Sequence, residues 1–237
     1  MVCATARSGS NLLTDGLHAT RQAGRPKQFF LTKFEKEYGE RHNLDPITDY
    51  ADYARGIISR TATSNEVFGF KVMGWYLDDF LGKMRKVSST QSPDLEVLQE
   101  VFPRLSFVRT LRRNKLRQAI SKARAIQSGL WKVQSGATGD PSTPEYDRAL
   151  VAKCLSDTLH DEAVWTSFFA SNAIRPFVVY YEDLCSSYDA TVRSTLEFLK
   201  IKITSSRSIE PITTRQADAT SLEWERVFLS QQTTVAS

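Results

Sequence analysis

Arg7, Ser8, Gly9, Ser10 and Asn11 stand between a short apolar stretch, Met1 to Thr5, and leucines at helical spacing, Leu12, Leu13 and Leu17. These are residue types that hold an oxyanion. A glycine reaches positive φ or lets backbone approach closely, a helix start offers amides without intrahelical partners, and Arg, Ser and Asn side chains add donors. The order strand, tight loop, helix is that of a P-loop, but the GxxxxGK(S/T) pattern with its phosphate-touching lysine is absent. An ordinary ATPase or GTPase, or a small-molecule kinase, therefore lacks a part. Two readings fit the segment by itself, an anion site or a plain helix start.

A second strand-to-helix junction is basic. Ser106 to Leu111 reads as a strand, Arg112 and Arg113 follow it, and Asn114 to Gln127 carries Leu116, Ala119, Ile120, Ala123 and Ile126 as a helical stripe. Arg112 and Ser121 could converge on another oxyanion, the guanidinium supplying a fork and the hydroxyl a third donor. Two oxyanion sites on one sheet edge fit a nucleotide phosphorylated at both its 5′ and 3′ ends. The same stretch holds Arg109, Arg113, Lys115, Arg117, Lys122 and Arg124 with no acid among them, so a solvated basic face is the competing reading. A nucleic-acid partner is not expected, because no zinc-finger spacing, aromatic RNA-binding strand or helix-turn-helix accompanies the patch.

Lys71 interrupts the apolar segment Asn65 to Met73, and a buried ammonium needs an anion or another polar partner. A functional contact and a structural pair both remain open for it. Trp75, Tyr76 and Trp131 could stack on a sugar ring or adenine, with core packing the default for at least one. Glu182 and Asp183 could read as catalytic acids, but terminating the strand and capping the next element are simpler roles.

The elements that must position these residues recur as strand then helix. Phe177 to Tyr181 supplies a further strand, helices are expected over Asp78–Met84, Glu145–Ser171 and Tyr188–Leu199, and a short one near Trp224 and Phe228. The fold class is α/β, a mainly parallel central sheet flanked by helices, with anion sites beyond the strand C-terminal ends. At 237 residues and 41% hydrophobic the chain fits one domain over residues 1–237. Residues 26–64 read as an acceptor-site insertion of loops and short helices more than core, and 132–145, rich in Gly, Ser, Thr and Pro, as an exposed connection. Arg25 and Lys27 would suit an anionic ligand, though a solubilising loop explains them equally. Cys3, Cys154 and Cys185 are odd in number and do not cluster with His18, His42 or His160, which fits free thiols and no structural metal. No apolar run reaches bilayer length and no signal-peptide pattern opens the sequence, so a cytoplasmic protein is expected.

The segments TARSGSNLL, AGRPKQFF, VFGFKVM, FVRTLRRNKLRQAISKARAIQSGLW, WTSFFASNAIRPFVVYYEDL and TRQADATSLEWERVF, in this order, resemble the bacterial trehalose 2-sulfotransferase (Stf0-like) family across almost the whole chain. The resemblance implies a sulfotransferase fold related to P-loop kinases. It implies 3′-phosphoadenylyl sulfate as donor, 3′-phosphoadenosine 5′-phosphate as product, and a carbohydrate, glycolipid or other small-molecule acceptor; it permits a homodimer. Arg7, Ser8, Gly9, Ser10 and Asn11 would cradle the 5′ phosphosulfate, Arg112 and Ser121 would hold the 3′-phosphate, and Arg215 falls in a late donor-proximal segment. Arg7 and Lys71 would stabilise charge during transfer.

One position departs from the family pattern. AGxPxEFF has Glu, resembling the general base, where this chain has Gln28, and an amide cannot take a proton at working pH. Three expectations follow from the sequence. Glu35, Glu37 or another acid serves instead, or Gln28 only orients an acceptor whose proton leaves through water, or the chain is a catalytically weakened nucleotide-binding or interaction protein.

Overall fold

The computed structural model describes residues 1–45, 48–90, 92–131, 144–203, 207–211 and 219–233. Four short strands, β1 (Val2–Ala4), β2 (Lys71–Met73), β3 (Val108–Leu111) and β4 (Phe177–Tyr180), form one parallel sheet in the order β2-β1-β3-β4. Cys3 pairs in register with Val72 on one side and Arg109 on the other, so the chain leaves the central strand toward β2 and later crosses back to β3. The C-terminal end of β1 is therefore a topological switch point, where crevices open in sheets of this kind.

Alternation along β1 covers both sheet faces, as expected of a parallel sheet. Val2 packs with Leu13, Leu17, Val192 and Leu196, contributed by α1 (Ser10–Ala19) and α9 (Tyr188–Phe198). Cys3 faces the larger cluster, where Phe30, Phe70, Phe80 and Phe102 meet; the rings of Phe70 and Phe102 lie 4.7 Å apart. This cluster is closed by α2 (Thr32–His42), α3 (Tyr50–Thr61), α4 (Leu77–Val87) and α5 (Asp94–Val101). A third cluster joins α6 (Lys115–Ser128), α7 (Arg148–Ser171) and α10 (Ala219–Thr233) through Ile120, Cys154, Trp224 and Phe228. The short helix α8 (Tyr181–Ser186) follows β4 directly.

Several sequence expectations shift. The candidate strand Asn65–Met73 is paired only over its last three residues, apart from a bridge between Lys27 and Phe70. Gly69 comes so close to the Ala23 carbonyl that a Cβ would sit 2.6 Å from it, which holds the preceding segment as a loop against Ala23–Gly24. Tyr181 begins a helix instead of ending a strand, and α7 starts at Arg148, where the Asp147 carboxylate accepts from Leu150 N at 2.9 Å and caps it. The terminal helix is long, Ala219–Thr233, because Trp224 and Phe228 dock on α6 and α7.

The segment 26–64 holds more core than its composition suggested. Phe29, Phe30, Tyr53, Ala54 and Ile57 are core residues, and Tyr53 OH donates to Phe29 O at 2.7 Å. Aromatic content there reflects packing. Of the connection placed at 132–145, residues 132–143 lie outside the described residues. Among the described residues no helix is long and apolar enough to cross a membrane, and no three His, Cys, Asp or Glu side chains gather as a metal would require.

Candidate functional site

The C-terminal ends of β1, β2 and β3 open into one cavity of about 1200 Å³. Its lining includes Arg7 and Gly9 to Leu12 after β1, Lys71, Met73 and Trp75 around β2, and Arg112 just past β3. Gly9 is the N-cap of α1 with φ 86°, and no side chain caps the helix. The first amides of α1 are therefore available to a ligand. A Cβ at Gly9 would come 3.0 Å from the Tyr181 ring, so close packing as well as φ requires glycine. Arg7 itself takes φ 63°, a left-handed conformation rare outside glycine, and its side chain is held at both ends of the fork. Nε donates to Ser121 Oγ at 2.9 Å and Nη1 to Trp131 O at 2.6 Å.

Two cations, the buried Arg112 and the half-buried Arg7, meet this cavity. The Arg112 guanidinium is 8% exposed and lies 4.4 Å over the Tyr181 ring, with no carboxylate in ion-pair range among the described residues. Burial lowers its pKa, opposed by Tyr181 and Glu182. Burial, then the charge of Arg112, lowers that of Arg7. Both stay protonated. Two like charges in a shared, partly dehydrated cleft create a strong preference for an anion between them.

Other expected ligands divide. Ser10, Asn11 and Ser121 line the cavity. Ser8 does not: it is fully buried, and its hydroxyl is engaged by Thr5 O at 2.8 Å and Thr110 Oγ1 at 2.7 Å, so it braces the loop. Lys71 Nζ reaches Asn11 Oδ1 at 2.5 Å, which supplies a polar partner for the buried ammonium. Gln28 lines the cavity beside Leu31, Lys33 and Phe34. Glu35 is turned away from it. Its carboxylate lies 2.8 Å from Lys83 Nζ and accepts from Tyr50 OH at 2.8 Å, a buried pair that the sequence spacing did not announce. Arg25 and Lys27 are exposed but absent from the lining, where Lys33 is the basic residue of that segment. Arg215 lies outside the described residues.

Trp75 and Trp131 face the cavity, 58% and 48% exposed, whereas Tyr76 is core and donates to Lys71 O at 2.8 Å. The basic stretch of β3 and α6 is largely neutralised in space. Arg113 pairs with Asp183 at 2.8 Å, Lys115 with Glu162 at 2.6 Å, Arg117 with Glu225 at 2.7 Å and Lys122 with Asp157 at 3.1 Å. Acids from α7, α8 and α10 do what the local sequence could not show. Glu182 accepts from Arg113 N at 3.1 Å, in keeping with a structural role.

Sequence reasoning missed Gln118, which is fully buried on α6 and donates to Thr5 Oγ1 at 2.8 Å and Ala6 O at 2.7 Å, pinning the loop after β1. It also missed a wall formed by Ser156, Asp157, His160 and Asp161 of α7, and Tyr181, Cys185 and Tyr188 beyond β4. Only the i, i+4 spacing of Asp157 and Asp161 hinted that both carboxylates share a helix face.

Comparison with known proteins agrees in scope. The profile of the family described as Stf0 sulphotransferase matches residues 1–231. A trehalose 2-sulfotransferase of Mycolicibacterium smegmatis is 26% identical over 253 residues, covering 94% of this chain and 91% of that protein. A trehalose 2-sulfotransferase of Mycobacterium tuberculosis is 26% identical over 248 residues with the same coverage of 94% and 91%.

Proposed function

Since this chain belongs to the Stf0 sulphotransferase family, we propose that it transfers a sulfuryl group from 3′-phosphoadenylyl sulfate to a hydroxyl of a carbohydrate, free or carried on a lipid. The observation that carries the reading is that Arg7 and Arg112, from the ends of two adjacent strands, line one cavity together with the uncapped start of α1. One bis-phosphorylated nucleotide satisfies both cations, its 5′ side on the Gly9–Leu12 amides and its 3′-phosphate at Arg112 and Ser121. Arg7 spans the two through its bond to Ser121.

Transfer needs the acceptor oxygen in line with the leaving phosphate and donors that stabilise charge as it develops. Arg7 and the loop amides supply those donors from the nucleotide side, and Lys71 supplies a cation beside Asn11. The acceptor lies against Gln28, Leu31, Phe34, Met73 and Trp75, so residues 26–64 contribute an acceptor wall to a single catalytic unit spanning residues 1–237. The exposed indole of Trp75 offers an apolar face to a sugar ring. The two relatives are named for trehalose, which makes trehalose the first acceptor to test.

The presence of Gln28 on the wall favours a second reading, a nucleotide binder with weakened catalysis. Labelled-sulfate transfer over a panel of mono- and disaccharides decides between them. Titration with 3′-phosphoadenosine 5′-phosphate and with ATP tests the donor class. Preference for ATP sinks the donor assignment; tight product binding with no transfer to any sugar supports the binder.

A further inference from the structure

A hydroxyl that attacks sulfur must lose its proton, and the cavity offers few groups to take it. Gln28 is an amide. Glu35 points away into its pair with Lys83. Among the described residues the carboxylates on the wall are Asp157 and Asp161. Asp157 sits between Lys122 at 3.1 Å and Lys153 at 3.0 Å; partial burial raises its pKa, and the two lysines more than reverse that. A carboxylate so paired is a poor base.

Asp161 differs on each count. It is 4% exposed and on the wall, and among the described residues no hydrogen bond or ion pair reaches its carboxylate. Backbone contacts fix its place. Helix α7 crosses the C-terminal edge of the sheet, where Trp165 Nε1 donates to Ala4 O at 2.9 Å. One turn earlier, the Asp161 backbone lies against Gly74, so near that a Cβ there would sit 2.5 Å from the Asp161 carbonyl. Asp161 thus stands beyond the ends of β1 and β2, next to the turn Gly74–Tyr76 that carries Trp75, on the acceptor side of the cavity.

Resting on the sulfuryl-transfer reading above, we infer that Asp161 is the general base of this chain. Its carboxylate takes the acceptor O–H proton as the hydroxyl oxygen forms its bond to sulfur. The bond from sulfur to the 5′-phosphate oxygen breaks, and its electron pair leaves on 3′-phosphoadenosine 5′-phosphate. The carboxylic acid then returns the proton to water. Burial raises the Asp161 pKa; Lys122 of α6 and His160 of α7 oppose this, and Asp157 adds to it. From the facing turn, Trp75 does not titrate and the Tyr76 hydroxyl is engaged by Lys71 O. A carboxylate moved up toward working pH is a better proton acceptor than an ordinary one.

The test uses the full chain, 3′-phosphoadenylyl sulfate and whichever sugar of the panel the wild type sulfates. Asp161→Asn is expected to lower kcat by roughly 100-fold or more while the Kd for 3′-phosphoadenosine 5′-phosphate stays within about twofold. Wild-type kcat falls as pH drops through the raised Asp161 pKa, an acid limb lying above the 3.8 of an ordinary Asp; D161N loses that limb. Unchanged kcat and limb in D161N overturn the assignment, as does loss of the limb in His160→Gln. If D161N loses its near-ultraviolet circular dichroism, Asp161→Glu replaces it, and an acid limb identical to wild type in that variant is equally fatal. A wild type that binds the product nucleotide but sulfates no sugar instead overturns the sulfuryl-transfer reading, and the base with it.

Discussion

Arg7 Nε donates to Ser121 Oγ at 2.9 Å across 114 residues of chain, tying the loop after β1 to the middle of α6. The two expected anion positions are therefore mechanically one. Ser121→Ala removes that tie while Trp131 O still holds Nη1. A hydrogen bond to a charged group contributes about 1.5 kcal/mol, so affinity for 3′-phosphoadenosine 5′-phosphate is expected to fall roughly tenfold. Isothermal titration calorimetry measures it; unchanged affinity removes Ser121 from the nucleotide site.

Arg112 tests the other end. Its guanidinium stacks on Tyr181 and faces the cavity without a carboxylate partner among the described residues. Arg112→Lys keeps the charge but loses the planar fork and the stack. Nucleotide affinity should fall by about 10- to 100-fold, and the discrimination between 3′-phosphoadenosine 5′-phosphate and its analogue lacking the 3′-phosphate should shrink with it. Discrimination equal to wild type would place the 3′-phosphate elsewhere.

Gly9 joins conformation to contact. With φ 86° and Tyr181 waiting 3.0 Å from a Cβ, Gly9→Ala is expected to cost about 1–2 kcal/mol of stability. It should also displace the ring on which Arg112 rests. Urea denaturation reads the first effect and nucleotide titration the second; a variant altered in neither would show that the loop tolerates a side chain.

The sheet and both strand-to-helix junctions were legible because each couples an apolar run to a local signal. Gly9 follows β1, and Arg112 follows β3 directly. What the sequence concealed is contact between distant segments. The string of cations from Arg109 to Arg124 looks unopposed, yet Asp157, Glu162, Asp183 and Glu225 arrive from three other helices. Glu35 is an acid beside an expected acceptor motif, but the direction it faces depends on Lys83, 48 positions away in the numbering, on another helix. Asp161 carries no local signal in the sequence, because its place over Gly74 is a matter of how α7 crosses the sheet.

Glu35→Gln separates a catalytic role from a structural one. Lys83 also contacts Asp79 at 2.7 Å and donates to Phe30 O and Thr32 Oγ1, so the ammonium keeps a carboxylate and two neutral acceptors when Glu35 loses its charge. The expected result is a stability loss of roughly 2 kcal/mol, read by urea denaturation, with the acid limb of kcat left where it was. A shifted limb at unchanged stability would return Glu35 to the reaction.

Phe30 and Trp75 contrast core with wall. Phe30 is 1% exposed, packed against Phe70, Phe80 and Phe102, and Phe30→Ala is expected to cost about 3–5 kcal/mol. Trp75 is 58% exposed and lines the cavity, so Trp75→Ala should change stability by less than about 1 kcal/mol. Its effect should fall on the acceptor: a several-fold rise in KM for the sugar at nearly constant nucleotide affinity, since an aromatic face contributes to binding a ring without touching the donor. If KM for the sugar holds while nucleotide affinity drops, Trp75 stacks on the adenine and the acceptor lies elsewhere along the wall.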